Sequence, residues 1–106
     1  MKTELINKLV SYINNNGYAI IKISTDSMFP TIKQGEYVKI EVLKNDPLIG
    51  QIIAYRKFAD HITVHRLIKK IQSCGRTLYM TKGDNNKAND PYLVSRDIIV
   101  GIASKI

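Results

Sequence analysis

Along residues 3 to 16, apolar side chains recur at Leu5, Ile6, Leu9, Val10 and Ile13, the spacing that gathers them on one face of a helix. Thr3 stands where an N-cap hydroxyl is wanted, and Gly17 where a helix stops. The pattern predicts an amphipathic helix of about three to four turns, packed on the core of its own domain, with a membrane surface or a partner as its other candidate contacts. After Gly17 the period changes. Tyr18-Ala19-Ile20-Ile21-Lys22-Ile23 reads as a strand, and later apolar runs are short and rich in Ile, Val and Tyr. Further strands are expected at 36–43, 51–57, 61–71, 77–82 and 97–105. Turns fall at Lys33-Gln34-Gly35, Asn45-Asp46-Pro47, Phe58-Ala59-Asp60, Ser73-Cys74-Gly75 and from Gly83 to Pro91. Regular short strands after a single helix predict a mainly β fold, a small coiled β-barrel or sandwich with one N-terminal amphipathic helix.

Composition narrows the class. With 106 residues and 44% hydrophobic side chains, the chain is sized for one domain over 1–106, a helical segment at 1–17 and a β-domain at 18–106. No uncharged apolar run approaches the roughly 18 residues a transmembrane helix needs, and Met1-Lys2-Thr3-Glu4 opens no secretory signal, so the expected location is cytoplasmic. Cys74 is the only cysteine and there are two histidines, so neither an intrachain disulfide nor a structural zinc site is expected, and no metal or cofactor is invoked. Lys and Arg total 16 against 9 Asp and Glu, a net charge of +7 that favours anionic partners. The positive charges are dispersed, which suits general attraction or steering of an acidic peptide better than specific reading of nucleic acid.

Candidate chemistry lies in three places. Ser24-Thr25-Asp26-Ser27-Met28-Phe29-Pro30-Thr31 interrupts the strand pattern at a proline-fixed turn, where a hydroxyl can be held rigidly beside exposed amides. Ser27 is a candidate nucleophile, and a serine hydroxyl needs a base and oxyanion donors to attack a carbonyl. His65, mid-strand, can act as that base, since a neutral imidazole accepts a proton near pH 7. His61 reads as a solvated turn residue. The loop Lys82 to Pro91 carries Asp84 and Asp90, either of which can orient an imidazole, or cap the loop's own backbone. Taken singly, the Ser27 segment is also an ordinary polar turn and His65 an ordinary wall residue.

In order along the chain, these pieces resemble the signal peptidase family of serine peptidases, the clan that includes the LexA-type self-cleaving repressors. The matching segments are Ser27-Met28-x-Pro30-Thr31, Gly35-Glu36-x-Val38, Gly50-Gln51-Ile52-Ile53-Ala54-Tyr55, Val64-His65-Arg66, Thr81-Lys82-Gly83-Asp84-Asn85-Asn86 with Asp90, and Ile99-Val100-Gly101. They span roughly residues 20 to 106. Histidine just before Arg66, where many bacterial relatives place a lysine base, resembles the archaeal, endoplasmic-reticulum and spore-former branch. The resemblance implies Ser27 as nucleophile, His65 as general base and Asp90 as orienting acid, with Asp84 sharing or replacing that role. It further implies oxyanion and substrate-binding positions at Thr25, Ser27 and Met28, with the Ser27 N–H and the Thr25 hydroxyl as donors.

Three departures qualify the implied activity. The amphipathic segment 3 to 16, with Lys2, Glu4 and Lys8, stands where membrane signal peptidases carry a transmembrane helix. Asp26 replaces the glycine usual before the nucleophile in the histidine branch, and a carboxylate there would raise the His65 pKa and lower activity at mildly acidic pH. The inserted cap of larger bacterial enzymes is also missing, as in small stand-alone peptidases of peptide maturation. The leading expectation is a soluble endopeptidase, a hydrolase that removes a leader or propeptide from a precursor bound as an extended strand, without specific nucleic acid and with membrane contact limited to the N-terminal helix. The alternative is a catalytically weak or inactive peptide-binding module of the same fold. A LexA-like regulator is less favoured, because one helix leaves no room for a helix-turn-helix.

Overall fold

The change of period at Gly17 is where the backbone changes from helix to sheet. In a computed structural model describing Lys2–Ile106, helix α1 runs Lys2–Asn16, and Gly17, at φ 90°, donates its N–H to the Ile13 carbonyl at 2.7 Å. That is the left-handed stop that glycine adopts without strain. Met1 lies outside the described residues. Thr3 sits inside the first helical turn instead of ahead of it. The apolar face is used unevenly: Ile13 is fully buried with Leu9 and Val10 packed beside it, whereas Leu5 is exposed.

Seven strands follow: β1 Tyr18–Lys22, β2 Tyr37–Glu41, β3 Ile52–Phe58, β4 His61–Ser73, β5 Arg76–Lys82, β6 Leu93–Ser95 and β7 Ile99–Lys105. They form one antiparallel sheet in the order β1-β2-β7-β3-β4-β5-β6. The mainly β expectation with one N-terminal helix holds, but the sheet is not a closed barrel, because β1 and β6 remain its two edges. Strand β6 was not expected, and the 3-10 turn Arg96–Ile98 takes up the first two residues of the strand expected at 97–105, so that β7 starts at Ile99. Only three residues long and with Val94 its one buried side chain, β6 offers too little alternation to be read locally.

The length of β4 shapes the cleft. Its first half, His61–Arg66, pairs with β3, and from Arg66 onward it pairs with β5 across an irregular register at Leu67–Lys69. Among the described residues, the free side of His61–His65 and the outer edge of β1 therefore lack strand partners. Two apolar clusters support the sheet. One joins Ile13 of α1 to Ile23, Met28, Ile32, Val38 and Ile40, and the other gathers Ile53, Tyr55, Leu67, Tyr79 and Val94. Met28 anchors the Ser27 turn in the first, while Tyr55 carries the second up to the His65 side.

Candidate active site

The turn carrying Ser27 is built by its backbone. Phe29 N–H donates to the Asp26 carbonyl at 3.0 Å and Ile32 N–H to the Met28 carbonyl at 2.9 Å, closing two consecutive turns. Met28, 1% exposed, inserts its side chain into the core and holds the neighbouring Ser27 at the surface. Its sulfur also accepts the Asp84 N–H at 3.4 Å, so the Met28 side chain is an anchor and leaves only backbone for substrate to meet. Among the described residues, the Ser27 and Met28 N–H groups donate to no protein acceptor. Unsatisfied amides beside a hydroxyl are the donors an oxyanion needs.

His65 and Arg66 are consecutive on β4, and a pleated strand sends consecutive side chains to opposite faces. The His65 ring, 8% exposed, turns toward Ser27, with Nε2 3.2 Å from Ser27 Oγ. On its other side Nδ1 lies 2.7 Å from Asp90 Oδ2. A carboxylate partner requires Nδ1 to carry the proton, which leaves Nε2 as an acceptor aimed at the serine hydroxyl. Thr25 Oγ1 lies 3.3 Å from Ser27 Oγ.

Asp90 is held by neutral donors. Thr81 Oγ1 donates to Oδ2 at 2.6 Å and Tyr55 OH at 3.3 Å, and both side chains are fully buried. Tyr55 OH also meets Tyr92 OH at 2.8 Å, and the Asp90 N–H donates to the Thr81 carbonyl at 2.8 Å, drawing the loop back onto β5. Burial pushes the Tyr55 phenol pKa well above its usual value, so the phenol is a neutral donor throughout the working range. Tyr55 and Thr81 lie in segments that resemble the signal peptidase family, yet no role was expected for either. The usable signal was Tyr55 itself, two residues after Ile53 on an inward face, because a buried phenol needs a hydrogen-bond partner.

Asp84 faces the other way. Arg66 Nε donates to Oδ1 at 2.8 Å and Arg66 Nη2 to Oδ2 at 2.7 Å, while Thr31 Oγ1 adds a 2.6 Å bond. None of these bonds reaches His65, so Asp84 does not share the histidine with Asp90. The Arg66 guanidinium holds the Asp84 carboxyl below the usual carboxylate range. Arg66 Nη1 also donates to the Gly50 carbonyl at 2.7 Å, and Asn85 N–H donates to the Ser27 carbonyl at 2.9 Å. Together these bonds brace the serine turn against the loop. The approach is close enough that a Cβ on Gly83 would lie 2.7 Å from the Ser27 carbonyl oxygen. Asp26 is exposed and sits beside Ser27, but the carboxylate bonded to His65 is that of Asp90.

The hydroxyl opens into a cleft of about 560 Å³ running from Ile21–Thr25 on one wall to His61–His65 on the other, with Lys57, Phe58 and Tyr92 at its rim. A hydroxyl, an imidazole and a buried carboxylate in this order have the arrangement of a serine hydrolase site, able to move a proton from the oxygen as it attacks.

No known family model matches the chain. Curated relatives do. The chain is 32% identical over 91 residues to the signal peptidase complex catalytic subunit SEC11 of Eremothecium gossypii, an alignment covering 84% of this chain and 54% of that protein. The SEC11 subunits of Sclerotinia sclerotiorum, at 30% identity over 92 residues, and Candida tropicalis, at 29% over 90, match with the same shares. The resemblance to the signal peptidase family read from short segments therefore holds over most of the chain. The chain spans about half the length of these relatives. Among the described residues, no helix is long and apolar enough to cross a membrane.

Proposed function

We propose that this chain is a signal-peptidase-type serine endopeptidase that cleaves a leader or propeptide from a precursor. The single observation that carries the reading is the hydrogen-bonded series from Asp90 through His65 to Ser27, with free amides beside the hydroxyl. The SEC11 names support the peptidase class independently.

In this reading His65 Nε2 takes the Ser27 proton as Oγ attacks the scissile carbonyl, and Asp90 stabilises the imidazolium that forms. The Ser27 N–H and the Thr25 hydroxyl receive the developing oxyanion. His65 then protonates the leaving amine, and water, activated by the same imidazole, hydrolyses the acyl ester. Asp84 and Arg66 act by holding the turn. The precursor lies extended between the outer edge of β1 and the free half of β4, whose unpaired backbone groups suit strand addition. Exposed Leu5 and Tyr12 leave α1 a surface for a membrane or partner contact.

Mass spectrometry of a diverse peptide library at neutral pH tests the proposal. Wild type is expected to cut a subset of peptides, and Ser27→Ala is expected to retain only a small residual rate on them. Full cleavage by Ser27→Ala overturns the mechanism, and binding of library peptides without cleavage by wild type favours a peptide-binding module instead.

A further inference from the structure

The cleft wall far from Ser27 is cationic, and the mechanism uses none of that charge. The charged or titratable side chains lining the cleft are Lys22, Lys57, His61, His65, Asp90 and Tyr92, and Asp90 is already held by His65. In the β3–β4 register Tyr55 faces Thr63 and Phe58 faces His61, and Lys57 is the extra residue of the irregularity between Arg56 and Phe58, lining the same cleft as His65. Lys57 Nζ stands 4.7 Å from the Tyr92 ring centroid and 5.5 Å from that of Phe58. No acidic side chain pairs with it among the described residues. The two rings limit where the ammonium can go while leaving its charge unneutralised. Lys22 lies on the opposite wall.

Resting on the peptidase reading, we propose that Lys57, with Lys22 across the cleft, forms a subsite for a carboxylate side chain of the precursor. Its place follows from strand geometry. His61 is four residues from His65, about 13 Å along an extended strand. A substrate strand lying beside β4 therefore presents its residue roughly four positions from the scissile bond to Lys57. Nearer the cut, exposed Asp26 beside Ser27 sets a negative charge, which disfavours an acidic residue there. The cleft thus selects a precursor arm that is acidic at a distance from the cut and uncharged next to it.

The experiment uses matched twelve-residue peptides with small residues at the cut site and a single Glu or Gln moved through the arm. Binding is read by fluorescence anisotropy on Ser27→Ala, and cleavage on wild type. Glu about four positions from the cut is expected to bind about three- to tenfold tighter than Gln, the range of a partly exposed ion pair. The preference is expected to vanish in Lys57→Met, reverse in Lys57→Glu and shrink as salt is raised. Equal binding of the Glu and Gln peptides, or a Glu preference that survives Lys57→Glu, overturns the subsite. A Glu preference in binding with neither peptide cleaved upholds the subsite and contradicts the peptidase reading. Cleavage of both peptides at the same kcat/KM, with equal binding, does the reverse.

Discussion

Asp84 and Asp90 lie six residues apart in one loop, yet their surroundings make them different chemical objects. Asp84 meets a guanidinium in two hydrogen bonds and a threonine hydroxyl in a third. Its charge is matched where it stands, and its effect is to tie β4, the loop and the serine turn together. Asp90 meets hydroxyl groups of Thr81 and Tyr55 and the Nδ1 of His65, and no guanidinium or ammonium. Its charge is left to act on the imidazole. What sorts the two is the pleat of β4, which sends Arg66 to one face and His65 to the other.

The contrast can be broken by substitution. Asp90→Asn is expected to have the largest effect, lowering turnover by as much as about 10⁴-fold with the fold intact, because the amide no longer selects the reactive tautomer. Steady-state cleavage beside circular dichroism checks it, and a loss under tenfold would place the orienting group elsewhere. Gly83→Ala is expected next. Its new methyl meets the Ser27 carbonyl and must shift the turn, and a displacement of about 1 Å at a reacting group can lower turnover about 10²-fold.

Asp84→Asn should act in the opposite sense to Asp90→Asn, on stability more than on rate. Losing charge-assisted bonds to a partly exposed arginine is expected to cost about 1–2 kcal/mol, a fall in Tm of about 4–15 °C, with turnover reduced severalfold at most. Melting curves and cleavage rates on one preparation compare the two aspartates directly. The smallest effect is pH-dependent. The Asp84 carboxyl sits below its ordinary value of 3.8, chiefly through Arg66, so its stabilising contribution is fully present above that value and is lost as the pH falls below it. Wild type should therefore lose more Tm than Asp84→Asn between neutrality and pH 3, and parallel curves would contradict the brace.

Much of the fold was legible and much of the site was not, for a shared reason. Helical spacing up to Ile13 and alternation in Ile53–Tyr55 are local patterns, and the elements follow them. Whether the sheet closes depends on how β1 and β6 meet across the molecule, which no local pattern encodes, so the barrel expectation overshot. Ser27 and His65 stood out by their order among short segments resembling the signal peptidases. The division of labour between Asp84 and Asp90 was open because it is decided largely by Arg66, Thr31 and Tyr55, each distant in sequence from the carboxylate it meets. Tyr55 belongs to a strand whose pattern predicted burial, while its hydroxyl partners come from β5 and the loop after it.

The central claim is that Ser27 and His65 work as one unit. Its most direct test is the cleavage rate of a single good peptide by Ser27→Ala, His65→Ala and the double variant. Groups that act together lose their contribution only once, so both single variants should fall to a similar residual rate and the double variant no further. Losses that multiply in the double variant, or a full rate in either single variant, would contradict the account.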